Sequence, residues 1–270
     1  MESILLQLAE KADWALPILA RCLAGSTVLL VCLQIGGLLS PKYDSVIEWL
    51  ALCAGVYAPL GMCLLYVFHV DSIVFDNKIL FALSSRYHKP PFDVWNGGGV
   101  FATQTVDPKH PAYQGLLDAN EQVIKAMRLV RGVTHAEFIR AQDGTIYFLE
   151  MAARVGGAHI DRLVEAASGV NPWKEWPRLE LAYLKKEKYK LPKIKKNQAG
   201  LVICLSRHEH PDLTHYNAPE VVWKMSEEFH AAVIVSSPKS IRVDELLDQY
   251  TGQLTNDVLA VAPPTETALH

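Results

Sequence analysis

The chain has 270 residues, 50% hydrophobic and 20% charged, so it can bury the core of one large domain or two smaller ones. Its formal net charge of -3 argues against a general nucleic-acid-binding protein, which would carry a basic surplus. Its five cysteines contain no CxxC pair and are odd in number, which argues against a zinc site and a complete disulfide framework. We therefore expect reduced thiols, a cytoplasmic location and no nucleic-acid partner.

The first 66 residues differ from the rest because they carry only eight charged side chains. The uncharged runs 22–40 and 49–68 approach the roughly 20 apolar residues that a helix needs to cross a bilayer. Gln34, several glycines and Pro59 interrupt these runs, and the second run leads directly into a predicted strand. A membrane hairpin within residues 22–68 is therefore an alternative that we do not favour.

The pattern of the chain changes after residue 66. Alternating β-branched residues over 67–75 and 78–83 flank Asp76-Asn77, which predicts a β-hairpin. A Pro/Gly-rich loop follows over 87–105, and the apolar spacing of 111–129 predicts a helix. A further helix is predicted over 158–167.

The C-terminal third begins with a basic segment that has seven lysines in the twelve residues 185–196. Such a run is typical of a solvated linker, which we place at 185–198. Beyond it, the pattern predicts strands at 200–205 and 231–235 and helices at 219–229 and 243–254. We interpret 199–262 as a small α/β module and 263–270 as a disordered tail.

A second predicted hairpin joins residues 132–141 to 145–151. Its connection contains Asp143-Gly144, a strong signal for a two-residue turn. With that turn, Glu137 lies directly opposite Glu150 on one face of the hairpin, beside Ile139, Phe148 and Ala152.

Two carboxylates in this position repel one another, because the β-carbons of directly opposed residues are about 4.5–5.5 Å apart. Such a pair needs a proton or a cation between its members. Magnesium binds through one or two carboxylates and completes its shell with water and substrate phosphates. The pair therefore predicts a magnesium site, with two exposed glutamates at a sheet edge as the alternative.

An arginine and two glycines follow the second glutamate. Arg154 stands four residues after Glu150, where it can reach phosphate oxygens beside a metal and neutralise them. Gly156 and Gly157 permit close backbone approach to a ligand at the start of the next helix. A simple strand–turn–helix junction with a solvated Arg154 is the alternative for this segment.

The segment 132–160, GVTHAEFIRAQDGTIYFLEMAARVGGAHI, resembles the metal-binding hairpin of the ATP-grasp superfamily, in its carboxylate–amine, amino-acid-ligase-like branch. The resemblance implies that Glu137 and Glu150 bind Mg²⁺ or Mn²⁺. It gives Arg154 a catalytic and phosphate-binding role, and it places the cofactor ATP beside the diglycine. The family has asparagine two residues after the second glutamate, where this chain has Ala152.

The similarity covers about residues 67–262, and 67–184 corresponds to the metal- and phosphate-binding lobe. It implies an α+β fold in which helices pack on an antiparallel sheet. Arg86, Gly98 and Gly99 occupy the region in which such enzymes meet the substrate carboxylate.

Three further polar residues belong to the predicted strands. His69 and Asp71 share one face of the first strand, and we interpret both as structural. His135 shares a face with Glu137, so it either supports the metal site or is a hydrogen-bonded core histidine.

By the family reaction, ATP phosphorylates a carboxylate, and an amine then attacks the acyl phosphate. The implied partners are ATP and a small carboxylate or amino-acid substrate. Residues 1–66 lack the lysine and glycine-rich loop of the other ATP-grasp lobe, so they are a divergent lobe, a membrane anchor or the product of an altered reading frame. The alternatives for the whole chain are a catalytically inactive, truncated nucleotide-binding remnant, membrane-tethered or not, and a structural α+β protein.

Overall fold

The computed structural model describes residues 66–91, 94, 98–141 and 143–260. The strands in this part of the chain are β1 (Tyr66–Phe75), β2 (Lys78–Tyr87), β3 (Phe101–Thr105), β4 (Gly132–Arg140), β5 (Ile146–Ala152), β6 (Gln198–Leu205), β7 (Val221–Glu227) and β8 (His230–Ser237). They form one eight-stranded sheet in the spatial order β5-β4-β1-β2-β3-β6-β8-β7. Every neighbouring pair in this sheet is antiparallel.

Four helices accompany the sheet in the described residues: α1 (Tyr113–Ala126), α2 (Ile160–Ser168), α3 (Pro172–Leu184) and α4 (Ser240–Asp257). Local signals place their ends. Gly169 adopts a left-handed conformation with φ 76° and ends α2. The side chain of Asn171 accepts a hydrogen bond from the Lys174 backbone N–H and begins α3, with proline at the first helical position.

Helices cover both faces of the sheet. On the face that we call the α2 face, Leu163 and Val164 of α2 pack on strand residues such as Ile73 and Leu201, and α3 adds Leu179. On the opposite face, the α1 face, Leu116 of α1 packs on Phe68 and Phe138, while α4 covers β6 and β8. The predicted α+β fold, with helices on an antiparallel sheet, is therefore confirmed.

The first predicted hairpin is also confirmed. Asp76 and Asn77 both have positive φ, at 54° and 59°, as the tight turn between twisted strands requires. The predicted helix at 111–129 corresponds to α1, and that at 158–167 corresponds to α2.

Two segments have a different secondary structure from the one predicted. The Pro/Gly-rich loop 87–105 contains β3, which pairs with β2 and β6. Residues 219–229 form strand β7 and a turn rather than a helix. Val221, Val222 and Trp223 have high β propensity, and pairing with β8 outweighs the helical spacing of the apolar residues.

The segment after α3 contacts the end of α2 and the core of the α2 face. The backbone N–H groups of Lys195 and Asn197 donate to the carbonyls of Ser168 and Ala167 at 2.7 and 3.1 Å. Tyr189 packs with Phe75 beside the core of the α2 face. Strands β6, β8 and β7 then continue the same sheet through the pairing of β3 with β6.

The β4–β5 hairpin pairs Glu137 with Glu150, as predicted, although its turn differs from the predicted one. The last pair before the turn is Arg140 with Ile146, so the connection is longer than two residues. A register shift beside Glu137 leaves Leu149 as one extra residue on β5 and restores the predicted pairing. Because of this bulge, Phe148 pairs with Phe138 on the α1 face and does not neighbour the glutamates as predicted.

Several predictions fall outside the described residues, namely those for 1–65 and for the tail 263–270. Phe68, the last residue of the second apolar run, lies within β1. A search of the described helices finds none with the length and hydropathy of a bilayer span.

Candidate active site

Glu137 and Glu150 lie opposite each other on neighbouring strands, with Glu150 on the outermost strand of the sheet. The side chain of Glu137 is 15% exposed, whereas Glu150 is an exposed residue. Strand alternation puts Glu137 on the α2 face, because it pairs with His69 while Phe138 pairs with Phe68. The hairpin therefore presents one partly buried and one exposed carboxylate at the edge of the sheet.

Two side chains hold the Oε1 atom of Glu137. The Tyr87 hydroxyl donates to it at 2.6 Å, and Nε2 of His135 lies 3.4 Å away. His135 is directly opposite Ala152 in the β4–β5 ladder. Both recorded contacts use Oε1, so among the described residues Oε2 is left for another ligand.

Asp71 connects two buried histidines beneath this carboxylate. Its Oδ1 is 2.9 Å from Nδ1 of His135, and its Oδ2 is 2.8 Å from Nδ1 of His69. Nε2 of His69 is 2.9 Å from the Thr103 hydroxyl. The five side chains of Thr103, His69, Asp71, His135 and Glu137 therefore form one continuous hydrogen-bonded and ionic network.

The network also sets the charges of its members. Burial alone would raise the pKa of Asp71, but the two histidines outweigh it and lower the pKa to about 2. Burial opposes a charge on His135, yet the carboxylates of Asp71 and Glu137 outweigh burial and raise its pKa to about 10. For His69 burial dominates and lowers the pKa. At neutral pH His135 is therefore a cation between two carboxylates, and His69 behind them is neutral.

The charges of both glutamates affect the pKa of Tyr87. Burial of the phenol raises the pKa of Tyr87, and the charges of Glu137, Asp71 and Glu150 raise it further. Burial likewise opposes ionisation of Glu137, but hydrogen bonds from His135 and Tyr87 outweigh it and lower the pKa of that carboxyl. Glu137 is therefore ionised at neutral pH, as a metal ligand must be.

The first glycine of the diglycine packs against the network. A β-carbon at Gly156 would lie 2.9 Å from Nδ1 of His135 and 3.2 Å from Oδ1 of Asp71. Gly156 is buried, so a side chain at this position would not fit beside His135 and Asp71. The sequence had suggested instead that glycine is needed here for close approach of a ligand. At Gly157 a β-carbon would meet no atom of the described residues within 4 Å, so this part of the chain leaves its backbone open to approach.

The turn into α2 is conformationally unusual. Ala158 and His159 both have positive φ, at 49° and 60°, which is uncommon for residues with a side chain. Such residues cluster at ligand sites, where the surrounding structure holds them in place. The His159 ring lies 5.0 Å from the ring of Trp223, between centroids.

In the described residues, the hydrogen bonds and ion pairs of Glu137 do not involve Arg154, Arg86, Gly98 or Gly99. Arg154 is exposed, and its Nη1 donates to the adjacent Val155 carbonyl at 2.9 Å. Arg86 pairs with Phe68 and therefore lies on the α1 face, where it lines a cavity of about 120 Å³ with Asp244. Its Nη2 is 3.9 Å from an Asp244 oxygen. The two substrate-loop glycines have positive φ, 67° at Gly98 and 138° at Gly99, and lead into β3.

Sequence reasoning missed Tyr87 and Thr103. Both fall in the segment that was interpreted as a loop, although Tyr87 ends β2 and Thr103 lies in β3. Extending the alternation of β2 by four residues beyond Leu83 would have put Tyr87 on the face of His69. Thr103 carried no comparable signal, because its place depends on the pairing of β3 with β2.

The donor set fits a magnesium ion. Carboxylate oxygens are the ligands that Mg²⁺ prefers, and one oxygen of Glu137 is left for it while Glu150 is exposed opposite. The ion would also relieve the repulsion between the two carboxylates. For ATP, the open backbone at Gly157 and the exposed Arg154 are compatible with phosphate groups beside that ion.

Comparison with known proteins gives a relative in sequence. The L-arginine-specific L-amino acid ligase of Bacillus subtilis is 28% identical over 106 residues, which are 39% of this chain and 25% of that enzyme. No protein-family model matches the chain.

Solved structures share the fold. An L-amino acid ligase from Bacillus licheniformis covers 73% of this chain with a TM-score of 0.53 and 16% identity. A phosphoribosylglycinamide synthetase from Anaerococcus prevotii covers the same share with a TM-score of 0.51 and 15% identity. This chain spans 52% and 53% of those two proteins, about half of each.

These similarities agree with the α+β fold described above. The described part of this chain therefore has the ATP-grasp fold that it shares with these two solved structures.

Proposed function

We propose that this chain binds Mg-ATP through Glu137 and Glu150 and takes part in joining a carboxylate to an amine through an acyl phosphate. The observation that carries the proposal is the direct pairing of these two glutamates, with Oε1 of Glu137 already engaged by Tyr87. The fold agrees with this function, since the similar solved structures include an L-amino acid ligase.

The residues have distinct tasks in this proposal. Glu137 and Glu150 would hold the cation, which would lower the negative charge on the phosphoryl group to be transferred. Arg154, whose Nη1 donates to the Val155 carbonyl in this structure, would neutralise charge on the phosphates. The open backbone at Gly157 lets the nucleotide approach the turn into α2.

An amino acid is the substrate class that we propose. Two of the similar proteins are L-amino acid ligases, and one of them is specific for L-arginine. We carry over only the class, because the aligned part is a quarter of the arginine-specific enzyme.

Titration of Mn²⁺ into the purified chain, with and without ATP, tests the metal site. We expect Glu137→Gln and Glu150→Gln each to lower Mn²⁺ affinity strongly, because each removes a proposed metal ligand. The loss should exceed the roughly 10–100-fold that is typical when a residue that only hydrogen-bonds to a metal ligand is removed. Glu228→Gln is the matched control, because Glu228 is an exposed glutamate in the β7–β8 turn. Equal affinity in all three variants would remove the glutamates from the site.

Nucleotide binding without ligation is a second candidate, and Ala152 favours it. The alanine side chain has no oxygen atom, so the site has one side-chain ligand fewer than the family pattern implies. ADP release from Mg-ATP in the presence of mixed amino acids separates the two candidates. Amino-acid-dependent release supports the ligase, whereas tight Mg-ATP binding without release supports binding alone.

A further inference from the structure

The network beneath Glu137 joins side chains of β3, β1 and β4, with β2 lying between β3 and β1 in the sheet, and it ends at that carboxylate. Its links are 2.8–2.9 Å long from Thr103 through His69 and Asp71 to His135. His69 pairs directly with Glu137, and Asp71 pairs directly with His135. The network is therefore built on rigid strands of the sheet, where side chains are held more accurately than on loops.

Most of the network is buried. His69, Asp71 and His135 are 0%, 3% and 6% exposed, whereas the Glu137 side chain is 15% exposed. Burying ionised groups is costly, and apolar side chains of similar size often give equal or greater stability. The ionic groups therefore need an explanation other than stability, and the network reaches the surface at Glu137.

Glu137 receives two contacts on one oxygen. Tyr87 donates to Oε1 at 2.6 Å, and His135, held by Asp71, lies 3.4 Å from the same atom. The Tyr87 ring itself packs against the rings of His69 and Phe101, at 4.8 and 5.4 Å between centroids. One carboxylate oxygen is thus fixed by two immobilised groups.

We propose that Tyr87 and the Asp71–His135 pair are positioning residues for Glu137. They hold Oε1 so that Oε2 is presented to the cation shared with Glu150. This inference rests on the proposed Mg-ATP function, since it assigns the support of one ligand of that metal site. Hydrogen-bonded support of this kind orients metal-binding carboxylates and tunes their affinity.

A metal ion within the network itself is the rival explanation. One ligand atom from each of His69, Asp71 and His135 lies within 4.8 Å of the others. However, each Asp71 oxygen already lies at an ordinary hydrogen-bond distance from a histidine nitrogen. An ion at this place would therefore break two hydrogen bonds. Gly156 also packs against Asp71 and His135 and leaves little room beside them.

Tyr87→Phe tests the proposal because it removes one hydroxyl and keeps the ring. We expect a 10–100-fold loss of Mn²⁺ affinity, with a roughly unchanged unfolding midpoint, measured by electron paramagnetic resonance titration. Tyr216→Phe is the matched control. Tyr216 is also a buried tyrosine, at 3% exposure, and its hydroxyl has no hydrogen-bond partner in the part of the chain that the structure describes.

The possible results separate this inference from the proposed function. If the wild type binds Mn²⁺, and binding is weaker in Tyr87→Phe but not in Tyr216→Phe, the proposed function and the positioning role are both supported. Equal affinity of the wild type and Tyr87→Phe overturns the positioning role and leaves the proposed function intact. Failure of the wild type to bind Mn²⁺, alone or with ATP, overturns both.

Combining Tyr87→Phe with Asp71→Asn tests the part of the network that acts through His135. Both changes affect the same carboxylate oxygen, so we expect their effects on Mn²⁺ affinity to be non-additive. Additive effects, or an Asp71→Asn variant that folds and binds Mn²⁺ like the wild type, would remove the Asp71–His135 pair from this role.

Discussion

At the scale of single residues, Glu137 combines partial burial with a lowered pKa, and neighbouring donors explain the combination. A buried carboxylate alone becomes harder to ionise, whereas hydrogen bonds from His135 and Tyr87 stabilise its charge. Glu150 is exposed, and within the described residues no side chain holds it as Tyr87 and His135 hold Glu137. The two glutamates therefore differ in kind: one is fixed by the protein, and the other is able to adjust.

The diglycine provides a residue-scale prediction. Gly156→Ala should reduce the free energy of unfolding by about 1–3 kcal/mol, because the new β-carbon would overlap His135 and Asp71. Gly157→Ala should change it by less than about 0.5 kcal/mol, because that β-carbon meets open space. Urea unfolding of both variants checks this contrast. Equal stability of the two variants would mean that the network does not constrain position 156.

At the scale of elements, the β4–β5 hairpin shows how a pairing can be predicted correctly from a turn that is wrong. The Asp-Gly signal predicted a two-residue turn, but the observed connection is longer and shifts the register by one residue. The extra residue Leu149 in β5 shifts the register back, so Glu137 still pairs with Glu150. A bulge depends on packing around the sheet, and single-sequence alternation does not reveal it. Alternation did reveal the faces of β1 and β4, so His69, Asp71 and His135 were on the correct strands, but their contacts were not predicted.

The packing of α4 on the sheet gives an element-scale prediction. A β-carbon at Gly200 of β6 would lie 2.6–2.8 Å from three side-chain carbons of the buried Leu247. Gly200→Ala should therefore cost about 1–3 kcal/mol of stability in the wild type.

Leu247→Ala supplies the control for that contact. It should cost about 2–5 kcal/mol by itself, because it leaves a cavity. The same Gly200→Ala change should then cost much less in the Leu247→Ala background, since the overlapping carbons are gone. Thermal unfolding of the four proteins measures the coupling, and strictly additive losses would contradict close packing at this point.

At the scale of the whole molecule, the sheet brings together residues that are far apart in the chain. Strand alternation and turn chemistry predicted the first hairpin and the glutamate pair, apolar spacing predicted α1, and the family resemblance implied the α+β class. They did not predict that 199–262 would join the same sheet, because the pairing of β3 with β6 is a contact between distant segments. Arg86 was placed near the substrate by its position along the chain, whereas its strand parity puts it on the α1 face.

The central claim is that Glu137 and Glu150 share one divalent cation. The location of that cation can be measured directly. Crystals grown with Mn²⁺ and a non-hydrolysable ATP analogue would show the ion by anomalous diffraction. We predict one Mn²⁺ with an oxygen of each glutamate at about 2.0–2.3 Å and phosphate oxygens in the remaining positions. An ion bound at His69, Asp71 and His135 instead, or an ordered nucleotide whose Mn²⁺ contacts neither glutamate, would contradict the account.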